Sequence, residues 1–209
     1  MHKFLFAALT LALFHYPLPA QETAEKAREM TSNLEKIEGL IDKTVKELRE
    51  AVEQLTRISA EADKPRDAYE DYTDQLKDYK DVQETLSDRI NHFRKIADER
   101  FKDWESDLAK MEGELKSISQ ERMNKAKKQY EEVDKKVRTI GAKLTKAVDK
   151  LQEVQTYFTT ELNAASIQAA GKVTDAAKKS ADDVIQALEE MKKDYAQLKA
   201  DTSESKPKE

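Results

Sequence analysis

The chain has 209 residues, 38% hydrophobic and 38% charged, with 4 Gly, 4 Pro, no Cys and a formal net charge of −5. Charge this dense with so few breakers belongs to long helices rather than to an ordinary globular domain, and an aromatic content of 7% still supplies core material. The missing cysteines exclude disulfides, thiolate nucleophiles, Cys-based metal sites and a lipidated N-terminal Cys.

Residues 1–20 read as a secretory signal. His2 and Lys3 make a weakly positive start, and Phe4 to Phe14 is an apolar run of eleven residues interrupted only by Thr10. Pro17 and Pro19 break the helix, and Leu18-Pro19-Ala20 offers a small residue, so cleavage is expected after Ala20. The run is shorter than the roughly twenty residues that a spanning helix needs, although an uncleaved anchor is the alternative. Loss of Lys3 leaves 36 Lys+Arg (37 less one) against 42 Asp+Glu, a net of −6. The mature chain is then expected to be periplasmic or extracellular, with membrane contact at most peripheral.

Four long amphipathic segments follow, predicted as helices over 22–62, 66–111, 118–161 and 164–200. The first carries a seam at Met30, Leu34, Ile37, Ile41, Val45, Leu48, Val52, Leu55 and Ile58, with Gly39 a tolerated defect inside it. Its first turns, Gln21 to Arg28, have little apolar content and are expected to fray. Asp63-Lys64-Pro65 ends it, because Lys64 precedes a proline that suits the first turn of the next helix. The second segment is the most aromatic. Tyr69, Tyr72, Leu76, Tyr79, Gln83, Leu86, Ile90, Phe93 and Ala97 keep the repeat, and a four-residue step leads to Phe101, Trp104, Leu108 and Met111. Tyr69, Tyr72 and Tyr79 read as packing residues with hydroxyls reaching water; the alternative is a stacking surface for a glycan or lipid headgroup.

Glu112-Gly113 marks the next reversal, and Ser117 with Gln120 has capping-box spacing for a start near 118. The third segment holds the strongest signal: Met123, Ala126, Tyr130, Val133, Val137, Ile140, Leu144, Ala147, Leu151, Val154 and Phe158 alternate steps of three and four. Gly141 beside this seam would allow close helix approach or a mild kink. Asn163 is a good N-cap for the last segment, whose seam is Ile167, Ala170, Thr174, Ala177, Ala181, Val184, Leu188, Met191, Tyr195 and Leu198. Its first half is lined by small residues, Ala164, Ala165, Ala169, Ala170, Ala176 and Ala177, that would let a bulky neighbour approach. Residues 201–209 are polar and are expected to be a disordered tail. The fold class predicted is all-α: an elongated antiparallel four-helix bundle, or coiled coil, of long helices over 21–200. A hairpin that dimerises is the alternative.

Chemistry-bearing patterns are missing. His92 is the one histidine beyond the signal and pairs in sequence with Asp88 four residues earlier, as a surface pair would. No zinc set, Glu-x-x-His pair or glycine-rich phosphate loop is present. No catalytic residue, metal or cofactor is expected, and the protein is read as not an enzyme. Acidic and basic residues interleave almost everywhere, so nucleic acid is not an expected partner.

Asp88-Arg89-Ile90, the stretch Arg100-Phe101-Lys102-Asp103-Trp104-Glu105-Ser106-Asp107-Leu108, and Leu162-Asn163-Ala164 with Ile167 carry a resemblance. In these words the chain resembles a bacterial family of exported helical proteins classed only as a domain of unknown function, over about Leu34 to Met191. Where that family usually carries a basic and histidine pair, this chain has Thr160-Glu161. The resemblance implies a helical, exported protein and brings no activity; Arg89, Phe101, Trp104, Leu108, Leu162 and Asn163 are its motif residues, read as packing positions. Three functions are consistent with this: an exported interaction protein binding an envelope protein through its outer faces, with self-association possible; a peripheral lipid- or membrane-surface binder whose Ala-rich fourth helix detaches; or a holdase-type periplasmic chaperone.

Overall fold

In a computed structural model of the chain, the structure describes residues 20–204. Every regular element is a helix: α1 (Ala20–Ala60), α2 (Arg66–Lys110), α3 (Gly113–Thr160), α4 (Ala164–Ala169) and α5 (Gly171–Glu204). The fold is therefore all-α. The signal reading of residues 1–19 lies outside the described residues, and Ala20 is the first residue of α1.

Helix ends follow local chemistry. After α1, the Lys64 amide donates to the Glu61 carbonyl at 2.8 Å, and the Pro65 carbonyl accepts from the Tyr69 amide at 3.0 Å as α2 opens. Between α2 and α3 the reversal is shorter than the sequence suggested. Gly113 takes φ +67°, a left-handed conformation natural only to glycine, and starts α3 five residues before the expected 118. The Ser117–Gln120 spacing therefore sits inside the helix. Asn163 caps α4, its side chain accepting from the Ser166 amide at 3.0 Å while the Ser166 hydroxyl accepts from the Asn163 amide at 3.0 Å. The expected fourth helix is broken once, at Ala170, although the Ala170 amide still donates to the Ser166 carbonyl and the Thr174 amide to the Ala170 carbonyl. Residues 201–204, expected in the tail, continue α5, and 205–209 lie outside the described residues.

The chain forms two compact units, and each of the four long helices contributes one stretch to each. Unit 1 comprises residues up to 38, 88–138 and from 191 onward; unit 2 comprises 39–87 and 139–190. The core of unit 1 gathers Leu34, Phe93, Ile96, Phe101, Trp104, Leu108, Met123 and Ala126, with Ile37, Met111 and Tyr130 packed against it. Unit 2 holds the other large, fully buried side chains, among them Leu48, Leu55, Tyr72, Tyr79, Leu151 and Leu188. Each such side chain contributes about 1.5–3 kcal/mol on leaving water, before its ordering entropy.

Where burial is described, the seams read from the sequence are the buried faces; the seam positions Met30, Tyr195 and Leu198 lie outside it. From Met123 to Phe158 every seam residue is buried or half-buried. Two details differ. In α1, Ala51 is fully buried where the seam was drawn through half-buried Val52, and in α2, Val82 is buried beside half-buried Gln83. In the last segment the small residues divide: Ala170, Ala177 and Ala181 are buried, but Ala164, Ala165 and Ala169 are exposed. A Cβ added at Gly141 would meet nothing within 4 Å, so that glycine does not serve close helix approach.

Candidate functional site

Within unit 1, α1 and α2 are held in antiparallel register by polar contacts. The Arg89 guanidinium donates to the Asn33 side-chain carbonyl at 3.1 Å, and the Asn33 amide nitrogen donates to the Glu29 carbonyl one turn back at 3.0 Å. Asn33 is only 3% exposed, so its amide would be costly to bury without these partners. A single polar residue inside an apolar seam fixes the register of its helix, because any slip leaves it unpaired. His92 sits 3.6 Å from the exposed Glu29 on the neighbouring helix α1.

Between α2 and α3 of the same unit, Asp134 accepts from Arg94 at 2.5 Å and from Arg138 at 2.6 Å. Partial burial works to raise the Asp134 carboxyl, but the bonds from Arg138 and Arg94 outweigh it and hold the group below the ordinary carboxylate value. Phe101 packs on Tyr130 with ring centroids 5.6 Å apart, and the Trp104 indole donates to the Ser119 hydroxyl at 3.1 Å. Burial pushes the Tyr130 hydroxyl up to about 12, with Asp98 and Asp134 adding to the shift.

The resemblance residues thus fall in two units. Arg89, Phe101, Trp104 and Leu108 belong to unit 1, where the last three are core; half-buried Leu162 and the cap Asn163 belong to unit 2. Sequence reasoning did not single out Asn33 or Asp134, and took Arg100, which is buried, only as part of the resemblance stretch. One signal was available: Asn33 and Arg100 each adjoin a seam residue, Leu34 and Phe101.

In unit 2 the aromatic row of α2 faces inward. The Tyr72 hydroxyl is buried and donates to the Leu151 carbonyl at 2.7 Å. The Tyr79 hydroxyl is buried with no hydrogen-bond partner. Tyr69 bonds Thr159 at 2.6 Å and sets its ring edge-on to Phe158. The expectation that these hydroxyls reach water is corrected for Tyr72 and Tyr79, whose fully buried rings are also closed to glycan or headgroup stacking. Glu47 on α1 is buried too; Gln75, with its amide turned to donate, is 3.1 Å from both Glu47 and Glu50.

Among the described residues, no group of three His, Asp or Glu side chains is placed to hold a metal ion, and no helix is long and apolar enough to cross a membrane. The large apolar side chains left most exposed are Leu115 and Ile118, at 74% and 48%, in the first turns of α3.

No curated protein and no solved structure matches the chain. A family model described as "Protein of unknown function (DUF2959)" matches residues 20–201, nearly the whole of the helical region. The words around Arg89, Trp104 and Asn163 and the match over five helices agree: the chain belongs to the DUF2959 family.

Proposed function

We propose that the chain is an exported, non-enzymatic interaction protein, built as an antiparallel four-helix bundle in which α4 and α5 form one leg, and that its charged outer faces bind a protein partner in the cell envelope. The observation that carries this reading is a closed ring of contacts in unit 2. Arg57 of α1 pairs with Asp71 of α2, Tyr72 of α2 with Leu151 of α3, Lys150 of α3 with the Ala176 carbonyl of α5, and Glu189 of α5 with Arg49 of α1. Four helix stretches that satisfy one another in a ring leave charged surface as the means of contact. The outer face of α2 in this unit is one such surface: Asp67, Glu70, Asp74, Asp78 and Asp81 are all exposed. Export is supported by the pattern of residues 1–20.

The architecture is tested by Leu55→Ala, Leu151→Ala and Leu188→Ala, on three different helices. Each should lower stability by about 2–5 kcal/mol within one shared unfolding transition. The partner is tested by cross-linking the tagged protein in its native host. One dominant envelope protein, lost when Asp74 and Asp78 are changed to Lys, is the expected result; cross-links to itself alone would defeat the reading.

A second reading, contact with a lipid surface, is favoured by the exposed Leu115 and Ile118.

A further inference from the structure

At the start of α3, every residue from 112 to 118 is exposed. Leu115, Ile118, Arg122 and Lys125 follow one another at steps of three, four and three, so they form one stripe along the helix, and all four are exposed. The two apolar side chains come first. The two cations follow one and two turns later, with Lys125 about 15 Å beyond Leu115 along the axis. Between 113 and 128 the helix carries Lys116, Arg122, Lys125, Lys127 and Lys128 against Glu114 and Glu121, with Glu112 before this stretch and Glu131 and Glu132 after it; Lys127 already faces Glu105 at 3.3 Å.

The register of unit 1 adds a direction. Asn33 meets Arg89 and Glu29 meets His92, so lower numbers on α1 match higher numbers on α2. Ala20, nine residues before Glu29, is therefore level with the neighbourhood of Phe101, nine residues after His92. The chain enters α1 at the end of unit 1 that carries the exposed stripe.

We infer that the stripe Leu115–Ile118–Arg122–Lys125 docks on an anionic lipid bilayer, with the two apolar side chains at the acyl boundary and the two cations at the headgroup phosphates. This deepens the lipid-surface reading, on which it rests, by naming the contact face and the lipid charge; it does not depend on the protein partner. Apolar residues that enter the interface beside a basic rim are the pattern of interfacial helices, and an anionic leaflet attracts each Lys or Arg near its surface.

The test uses the full chain. It has no cysteine, so Ile118→Cys carries a single environment-sensitive fluorophore, and Thr85→Cys on the exposed face of α2 carries the control. Vesicles of phosphatidylcholine alone are compared with vesicles containing phosphatidylglycerol. The expected result is a blue shift at position 118, quenched by spin-labelled lipid, on the anionic vesicles only, with position 85 unchanged. Arg122→Glu with Lys125→Glu should weaken binding to anionic vesicles by about tenfold or more. Vesicle binding with no change at 118 would overturn this docking face while leaving the lipid-surface reading standing; no binding to either vesicle would defeat both. Equal shifts on neutral vesicles would remove the charge argument. A shift that appears without vesicles and grows with protein concentration would assign the stripe to a second copy instead.

Discussion

Tyr72 and Tyr79 stand two turns apart on the same buried face of α2, yet only the Tyr72 hydroxyl has an acceptor, the Leu151 carbonyl at 2.7 Å. Two chemically identical groups are thus buried in one unit, one satisfied and one not. Tyr72→Phe should lower stability by about 0.5–1.5 kcal/mol, since it leaves a buried carbonyl without this donor. Tyr79→Phe should be neutral or stabilising, because it removes a polar atom that was buried without compensation. Chemical denaturation of the two variants checks this; equal losses would contradict the difference in hydrogen bonding.

The same burial makes the fold sensitive to alkali. Desolvation raises the hydroxyls of Tyr72 and Tyr79 above their ordinary value of 10.0, and pushes that of Tyr130 up to about 12. In the unfolded chain these groups ionise near 10, so above that pH the unfolded state binds fewer protons than the native one. Their contribution is complete below pH 10 and declines as pH rises towards the folded values. The slope is about 1.4 kcal/mol per pH unit for each tyrosine that stays neutral. Ultraviolet titration should show Tyr130 ionising near pH 12, and Tyr72 and Tyr79 only as helicity is lost.

Asp134 behaves in the opposite sense. Its carboxyl is held below its ordinary value of 3.8 by Arg138 and Arg94 against the effect of burial. Its contribution is therefore complete above about pH 4 and disappears as pH falls through the folded value. Asp134→Asn should cost about 1–3 kcal/mol at neutral pH, because Arg94 is 23% exposed and loses its charge partner. The gap between variant and parent should narrow below pH 4; a gap constant with pH would mean that packing, not charge, carries the effect.

Three glycines separate by backbone. At Gly39 and Gly141 a Cβ would meet nothing within 4 Å in mid-helix, so Ala at either site should stabilise by about 0.5–1 kcal/mol. Gly113, at φ +67°, has equal room but the wrong conformation for Ala. Gly113→Ala should destabilise by about 1–2 kcal/mol. Thermal melts of the three variants decide the signs.

The buried faces were legible because a period of three and four residues is written into the sequence itself; Leu144, Leu151 and Phe158 lie where the repeat puts them. What escaped has no period. Arg89 and Asn33 are 56 residues apart, and Arg94 and Asp134 are 40 apart, so nothing local announces either pair. The start of α3 was misplaced because a side-chain capping pattern was weighed above the backbone freedom of Gly113. The tyrosine hydroxyls were misjudged because a helical repeat tells which face turns inward but not how deep it lies. The exposure of Leu115 and Ile118 has no signal in the sequence either, because apolar spacing along one helix does not say whether another helix covers it.

Neither unit is a continuous piece of chain. Unit 2 needs residues 39–87 together with 139–190, and the Arg49–Glu189 pair joins positions 140 apart. Synthesis therefore reaches the last helix before this unit can be completed, and a chain halted at residue 160 would have its first three helices with the apolar seams of α1 and α3 still lacking α5. The finished unit therefore hangs on its last helix: losing α5 would uncover the seams of the other helices rather than remove a separable piece.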